Sequence, residues 1–185
     1  MQSKINVGIL FGGKSVEHEV SVRSSQNVYD AINKDKYNVL MIGITKEGQW
    51  MLNPIISKED TVTGNSPLAL VPGSEGAQLV DLSGKSELQK IDVIFPILHG
   101  AYGEDGTMQG LLKLLNIPFV GPSVLGSAVG MDKEVMKRLL KDSQIPSAMY
   151  LVFNKYTGDI PNPTFEDVKS TLGLPCFVKP ASLGS

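Results

Sequence analysis

The sequence has few features of a disulfide-bonded, membrane-spanning or nucleic-acid-binding protein. With a single cysteine, Cys176, the 185-residue chain cannot form an internal disulfide. Lysine and arginine number 17 against 19 aspartate and glutamate, so the net charge is −2 and no basic patch is expected. No apolar run approaches the roughly 20 residues that span a bilayer. We therefore expect a cytoplasmic protein that binds neither nucleic acid nor membrane.

Short apolar runs alternate with longer amphipathic stretches, which is typical of an α/β fold. The runs are continuous and rich in β-branched residues, so they predict buried strands, and the stretches between them predict helices. Strand–helix alternation favours a parallel sheet, whose sites lie beyond the carboxyl ends of the strands. The predicted strands are 7–11, 39–44, 93–98 and 119–120, and the predicted helices are about 16–33 and 107–115.

Two further regions depart from this alternation. Residues 46–90 contain short alternating pieces separated by Gly, Ser and Pro, which predicts a β-rich insertion with surface loops. A boundary at residues 127–131 predicts a first domain over 1–130 and the start of a second over 131–185. In the second region we predict helices at 132–142 and 164–172 and strands at 149–153 and 176–179.

Two segments that follow predicted strands contain candidate polar residues. After the first strand, Gly12 and Gly13 permit close backbone approach, and the helix that follows could hold an anion. Glu17 in this segment could pair with a substrate ammonium, or it could only favour the helix dipole. After the strand at 93–98, residues 99–110 hold glycines around Glu104 and Asp105. His99 at its start could be a ligand or a hydrogen-bonded part of the scaffold.

Two lysines could together bind a polyphosphate. Lys133 opens a predicted helix, where a lone lysine is usually solvated. Lys179 finishes a predicted apolar strand, where a lysine usually has a partner. If both face one cleft, their charges would suit a chain of phosphates.

A P-loop NTPase is an alternative from a different class. The stretch from Gly8 to Ser15 satisfies G-x-x-x-x-G-K-[ST] letter for letter. However, three of the four positions that should cradle phosphate belong to a predicted strand, and no strand ends in a magnesium-binding acid. The P-loop interpretation therefore requires residues 8–11 to form a loop.

Four segments of the chain resemble those of D-alanine–D-alanine ligases. Residues 99–110, HGAYGEDGTMQG, are similar to the signature H-G-x-x-G-E-D-G-x-x-Q-G, and residues 11–21, FGGKSVEHEVS, resemble the N-terminal substrate motif. Residues 131–133, MDK, and 178–185, VKPASLGS, resemble the two ATP-contacting segments. The resemblance covers the whole chain, and the long insertion is like that of the longer subclass. It implies a Rossmann-like pre-ATP-grasp domain followed by the truncated start of an ATP-grasp domain.

The resemblance also implies roles on the amino-acid side of the site. Glu17 would orient the amino group of the first D-alanine, and His99 would lie near its carboxylate. Ser21, the last residue of the substrate motif, would belong to the same substrate-binding set. Ser185 would be linked by hydrogen bonds to the Glu17 region, so that Glu17 and Ser185 are the expected catalytic pair.

On the nucleotide side, the resemblance implies that Lys133 and Lys179 neutralise the phosphates of ATP. Gly184 and Ser185 would open a glycine-rich loop that also contacts ATP. The implied metal is Mg²⁺ or Mn²⁺, and none of its ligands is assigned to this chain. They would lie in a second half, together with the adenine-contacting segment and an arginine.

The implied reaction is the ATP-dependent joining of two D-alanine molecules through an acyl phosphate. We expect this chain to represent about half of such an enzyme, to be inactive alone, and to form a homodimer through the N-terminal domain. A D-alanine–D-lactate ligase of the same family and a non-catalytic binding module remain alternatives. The residues that would choose the second substrate are expected outside this chain.

Overall fold

The elements of the fold are those of an α/β protein with an inserted β region. The computed structural model describes residues 3–64, 66–72, 78–83, 89–155 and 161–184. In chain order the elements are β1 (Ile5–Gly12), α1 (His18–Ala31), β2 (Tyr37–Ile44), β3 (Trp50–Leu52), β4 (Ile55–Ile56), β5 (Val62–Thr63), β6 (Leu68–Val71), β7 (Gln78–Asp81), β8 (Gln89–Lys90), β9 (Val93–Leu98), α2 (Thr107–Leu114), α3 (Val124–Met131), α4 (Lys133–Asp142) and α5 (Phe165–Leu172).

A four-stranded sheet in the order β3-β2-β1-β9 forms the centre of the fold. Strand β1 pairs in parallel with β2 and β9, and β3 pairs antiparallel with β2. The sheet buries both faces of β1, which is why its sequence is a continuous apolar run. Successive side chains point to opposite faces, so Leu10 joins a core cluster with Leu112 of α2, while Ile9 and Phe11 join another with Val22 of α1.

The structure rules out the P-loop alternative. Residues 8–11 lie in β1 and pair with β2 on one side and β9 on the other. A Cβ on Gly8 would lie 2.7 Å from the side chain of Ile94, so this glycine serves strand packing. A backbone that is paired on both edges cannot form a phosphate cradle.

The helices of the first region start and end close to their predicted limits. Helix α1 begins at His18, because residues 15–17 form a turn in which Ser15 Oγ accepts a hydrogen bond from the Glu17 N–H at 3.2 Å. Beyond α2, the predicted strand at 119–120 is reduced to a parallel bridge between Ile94 and Phe119. The bridge nevertheless continues the sheet on the outer side of β9.

The insertion is β-rich, as predicted. Strands β4 and β5 form a hairpin, and β6, β7 and β8 form a separate antiparallel sheet. The β4–β5 hairpin packs on the central sheet, because Val62 belongs to the core cluster of Ile9 and Phe11. Parts of the insertion at 65, 73–77 and 84–88 lie outside the described residues.

The second region is helical where helices were predicted, but its predicted strands are wrong. Helices α4 and α5 match the predictions at 132–142 and 164–172. The segments 149–153 and 176–179 pair with no strand in the described part of the chain, and Phe177 and Val178 are 93% and 95% exposed. Apolar sequence alone does not make a strand, because a strand requires a partner for its backbone.

Helix α3 was not predicted. It crosses residues 127–131, where the boundary between the two domains was placed, and contacts both α2 and α4. Ser123 caps it by accepting a hydrogen bond from the Gly126 N–H at 3.2 Å. The division at residue 130 stays a prediction. Among the described residues, no helix has both the length and the apolarity that crossing a membrane would require.

Candidate active site

A turn of two glycines follows β1 at the carboxyl edge of the sheet. Gly12 and Gly13 have φ values of +85° and +96°, and a Cβ on Gly12 would lie 2.3 Å from the Ile44 carbonyl oxygen. Only glycine fits such a position without strain. The N–H groups of Gly12 and Gly13 donate to Ser21 Oγ at 2.7 Å and to the Ile44 carbonyl at 2.8 Å. The turn is therefore fixed, and it sets the path of the chain towards Glu17.

Ser21 lies behind this turn and does not face the cleft. Its side chain is completely buried, its oxygen accepts from the Gly12 N–H, and its hydroxyl donates to the Ile97 carbonyl of β9. The hydroxyl proton and one of its two acceptor positions are thus used within the protein. The structure thus gives Ser21 a role in holding the turn against the sheet, and its place in the substrate-binding set stays a prediction.

Glu17 lies where three segments of the chain meet. A Cβ on Gly100 would lie 2.9 Å from Glu17 Oε2, and one on Gly184 would lie 3.6 Å from the same oxygen. The carboxylate is thus next to the loop after β9 and to the segment near the end of the described chain. Glu17 and His99, the neighbour of Gly100, therefore occupy the same edge of the sheet.

The signature loop at 99–110 is held by its own acids. Glu104 Oε2 accepts a hydrogen bond from the Gly100 N–H at 2.7 Å, and Asp105 accepts from the N–H groups of Tyr102 and Thr107, each at 2.9 Å. Burial acts to raise the pKa of Asp105, but these hydrogen bonds together hold it below its ordinary value. Both acids consequently shape the loop, and Asp105 also binds the first N–H of α2.

His99 is one of the residues of this loop that border open space. Its side chain is 32% exposed, and its Nδ1 lies 4.0 Å from Glu104 Oε1. Its Nε2 is buried and has no hydrogen-bond partner in the described part of the chain. A carboxylate thus lies near one ring nitrogen, beyond hydrogen-bond distance, and the other ring nitrogen is an unsatisfied buried group.

A cleft of about 640 Å³ brings the predicted phosphate-binding residues together with His99. Lys133, Lys179 and Gly184 line it, and Lys133 Nζ donates to the Gly184 carbonyl. The Lys133 N–H also donates to the Ala181 carbonyl at 2.9 Å, which ties the segment before Gly184 to the start of α4. Ser185 lies outside the described residues.

The cleft offers positive charge, but its described residues form no cluster of metal ligands. The side chains of Lys133 and Lys179 suit an anionic group such as a chain of phosphates. Over the described ranges, no group of three or more His, Cys, Asp or Glu residues could hold a metal ion. Beside the Gly12–Gly13 turn, a smaller hollow of about 140 Å³ is lined partly by Lys14, Trp50 and His99.

Solved structures with the same fold define the class of this protein. The chain superposes on the VanG D-Ala:D-Ser ligase from Enterococcus faecalis with a TM-score of 0.77 and 28% identity, over 99% of this chain and 54% of that one. It superposes on the D-alanine-D-alanine ligase from Coxiella burnetii with a TM-score of 0.73 and 30% identity, over 85% and 46%. The fold is therefore that of the first half of the D-alanine–D-alanine ligases, which are ATP-grasp enzymes.

Sequence comparison gives the family. Residues 6–122 match the family described as D-ala D-ala ligase N-terminus, and the chain belongs to it. It is 47% identical to the D-alanine--D-alanine ligase of Oceanobacillus iheyensis and 46% identical to D-alanine--D-alanine ligase A of Escherichia coli K12. In both alignments 98% of this chain covers 52% of the relative. The resemblance inferred from the motifs is confirmed, and the chain spans about half the length of these relatives.

Proposed function

We propose that this chain supplies the wall that binds the first D-alanine, and part of the phosphate-binding wall, of an ATP-dependent ligase. The enzyme joins two D-alanine molecules to D-alanyl-D-alanine for peptidoglycan synthesis. The observation that carries the proposal is the placement of Glu17 beside a cleft lined by His99, Lys133 and Lys179. Such a reaction needs, at one site, an acid that binds an ammonium group and two cations that bind phosphates.

The chemistry requires activation of a carboxylate. A free carboxylate is a poor electrophile, so its oxygen attacks the γ-phosphorus of ATP, giving an acyl phosphate and ADP. The amine of the second D-alanine then attacks the acyl carbon, loses a proton, and phosphate leaves. Glu17 would hold the ammonium of the first D-alanine, while Lys133 and Lys179 would offset phosphate charge.

Mg²⁺ or Mn²⁺, which the family implies, would neutralise further charge on the phosphates. The described residues offer no cluster to hold such an ion, so none of the steps above is assigned to it. Its ligands are proposed to lie in the second half that the relatives have.

Glu17→Gln tests the amino-acid side of the proposal in an enzyme that carries this chain together with such a second half. The change removes a charged hydrogen bond to an ammonium but touches no phosphate. We expect the KM for the first D-alanine to rise about 10- to 100-fold, with the KM for ATP within about twofold. Steady-state kinetics with each substrate varied would measure this.

The matched control is Glu19→Gln, two residues along. Glu19 pairs with Lys46 on the surface, and that hydrogen bond lowers the pKa of the Glu19 carboxyl. Its loss should leave both KM values unchanged. An unchanged D-alanine dependence in Glu17→Gln would refute the role of Glu17.

The 185-residue chain alone is expected to form no dipeptide and to bind ATP weakly. Lys133 and Lys179 provide charge, but two lysines without an adenine pocket give little affinity. Isothermal titration with ATP and an assay for ADP release would check both expectations. Dipeptide formation by the purified chain would show that the working unit is smaller than proposed.

A ligase with a different second substrate is a second candidate. One structural neighbour is named as a D-Ala:D-Ser ligase, and a D-alanine–D-lactate ligase shares the first substrate. The relatives at 46–47% identity favour D-alanine. Competition among D-alanine, D-serine and D-lactate in the longer enzyme would decide, and preferential use of either alternative would overturn the assignment.

We further propose that the enzyme works in the cytoplasm, where ATP is available.

We also propose that two copies pair through the N-terminal domain. Helices α2 and α3 contact each other, and on them Leu114 and Leu125 are 85% and 73% exposed. Exposed apolar side chains on adjacent helices support a protein interface. Leu114→Glu should convert a dimer to a monomer in analytical ultracentrifugation, whereas Leu139→Glu on α4 should not. A monomeric wild-type chain would contradict the pairing.

A further inference from the structure

His18 is a buried histidine whose two ring nitrogens both have fixed partners. Its side chain is completely buried at the start of α1. Nδ1 lies 2.8 Å from the Gly13 carbonyl oxygen, and Nε2 lies 3.3 Å from the Val62 backbone nitrogen. A carbonyl can only accept and a backbone N–H can only donate. The ring therefore carries its proton on Nδ1 and leaves Nε2 free to accept, which defines one neutral tautomer.

The Nδ1 side of the ring fixes the glycine turn of the site. Gly13 donates its N–H to the Ile44 carbonyl and accepts from His18 through its own carbonyl, so the peptide groups on both sides of this residue are fixed. A Cβ on Gly12 would lie 3.1 Å from His18 Cε1, which shows how closely the ring packs on the turn. The turn leads within four residues to Glu17.

The Nε2 side of the ring connects to the β4–β5 hairpin. Val62 of β5 packs over the ends of β1 and β2, because added Cβ atoms on Gly12 and Gly43 would lie 3.1 Å and 2.8 Å from its methyl groups. The hairpin is also tied to α1 by an ion pair of 2.5 Å between Arg23 and Asp60. The hairpin and the turn thus meet at one imidazole ring.

We propose that His18 is a positioning residue through which the β4–β5 hairpin holds the Gly12–Gly13 turn, and with it Glu17, in the geometry that receives the first amino acid. The part concerning substrate rests on the proposed function. The part concerning the link between hairpin and turn does not, because it can be measured on the 185-residue chain alone.

The first test reads the tautomer directly. The chain has only two histidines, so ¹⁵N-histidine spectra can be assigned with a His99→Asn variant. At neutral pH, His18 should show a protonated Nδ1 and an unprotonated Nε2. A ring protonated on Nε2, or on both nitrogens, would overturn the proposed link.

The second test measures whether the His18 ring couples the β4–β5 hairpin to the Gly12–Gly13 turn. Asp60→Asn weakens the ion pair of the hairpin at a distance from the turn, and it should shift the Gly13 amide resonance. His18→Asn places an amide at the position of Nδ1 and so keeps the bond to Gly13, but it provides no acceptor for Val62. In the His18→Asn background, the shift that Asp60→Asn causes at Gly13 should vanish. Equal shifts in both backgrounds would overturn the coupling.

Arg138→Gln is the matched control, because it removes a surface ion pair of 3.6 Å with Glu134 on α4. It should not move the Gly13 resonance. If His18→Asn fails to fold, the Gly13 shifts in Asp60→Asn and Arg138→Gln still test the link between hairpin and turn. An unmoved Gly13 resonance in Asp60→Asn would contradict that link.

The third test is kinetic and uses the longer enzyme. His18→Asn should raise the KM for the first D-alanine about three- to tenfold, as expected for one lost hydrogen bond, with the KM for ATP within about twofold. If Glu17→Gln alters the D-alanine dependence and His18→Asn does not, the positioning role is wrong. If neither variant alters it, the proposed function itself fails.

Discussion

At the scale of single residues, the polar groups around the cleft fall into two sets. Glu17, His99 and Lys133 lie beside open space or beside segments that line it. Ser21 and Glu104 form hydrogen bonds with backbone groups of the same walls, and Glu104 also lines the cleft. The sequence motif contains both sets without distinguishing them, because a motif reports which residues recur together and not which direction each faces. That is why Ser21 was expected at the substrate and lies behind the turn.

Ser21→Ala should destabilise the fold through the turn. It leaves the Gly12 N–H and the Ile97 carbonyl without their shared partner, and orphaned buried groups cost about 1–3 kcal/mol. Urea unfolding followed by circular dichroism would measure the free energy of unfolding.

Ser25→Ala is the control for this prediction, because Ser25 is equally buried but donates only to the Val22 carbonyl of its own helix. It should cost less than Ser21→Ala. Equal losses for the two variants would show that the bridge from turn to sheet adds nothing.

At the scale of elements, the sequence predicted those strands and helices whose burial leaves a pattern of apolar residues. Strands β1, β2 and β9 and helices α1 and α2 were predicted, because a fully covered sheet and an amphipathic helix each leave a periodic pattern. Helix α3 was not, since Val124–Met131 contains two glycines and no clear polar face. The segments at 149–153 and 176–179 were wrongly predicted as strands, because pairing depends on a partner elsewhere in space.

Within the signature loop, Asp105 should stabilise the start of α2 in a pH-dependent way. Because its pKa is lowered in the folded protein, its contribution is fully present above its ordinary value of 3.8 and is lost as the pH falls below it. Asp105→Asn should cost about 1 kcal/mol at neutral pH, since an amide has one accepting oxygen for two N–H groups.

The difference in stability between wild type and Asp105→Asn should therefore shrink in acid. Thermal unfolding at neutral pH and at a pH below 3.8 would test this. A difference that stays constant across that range would contradict the assigned role of the carboxylate.

At the scale of the whole molecule, order is expected to decrease from the central sheet to the last segment. Strands β1 and β9 are paired and buried, whereas residues 176–179 have no strand partner in the described ranges and expose Phe177 and Val178. Amide protection follows hydrogen bonding and burial. In hydrogen exchange, residues 7–11 and 93–98 should be protected far longer than 176–179. Equal, high protection in both regions would show that the last segment is packed more firmly than its exposure indicates.

The crowding of glycines around Glu17 determines how tolerant this region would be to random substitution. Gly12, Gly100 and Gly184 all have positive φ, and a side chain on Gly12 or Gly100 would strike a neighbouring oxygen. Val16, which lies next to Glu17 in the chain, is 96% exposed. In a saturation-mutagenesis survey scored by growth, Gly12 and Gly100 would thus appear as intolerant as Glu17, although they contribute no functional group. Val16 would accept most amino acids. Intolerance to substitution around Glu17 would therefore mark limited space as often as a chemical role.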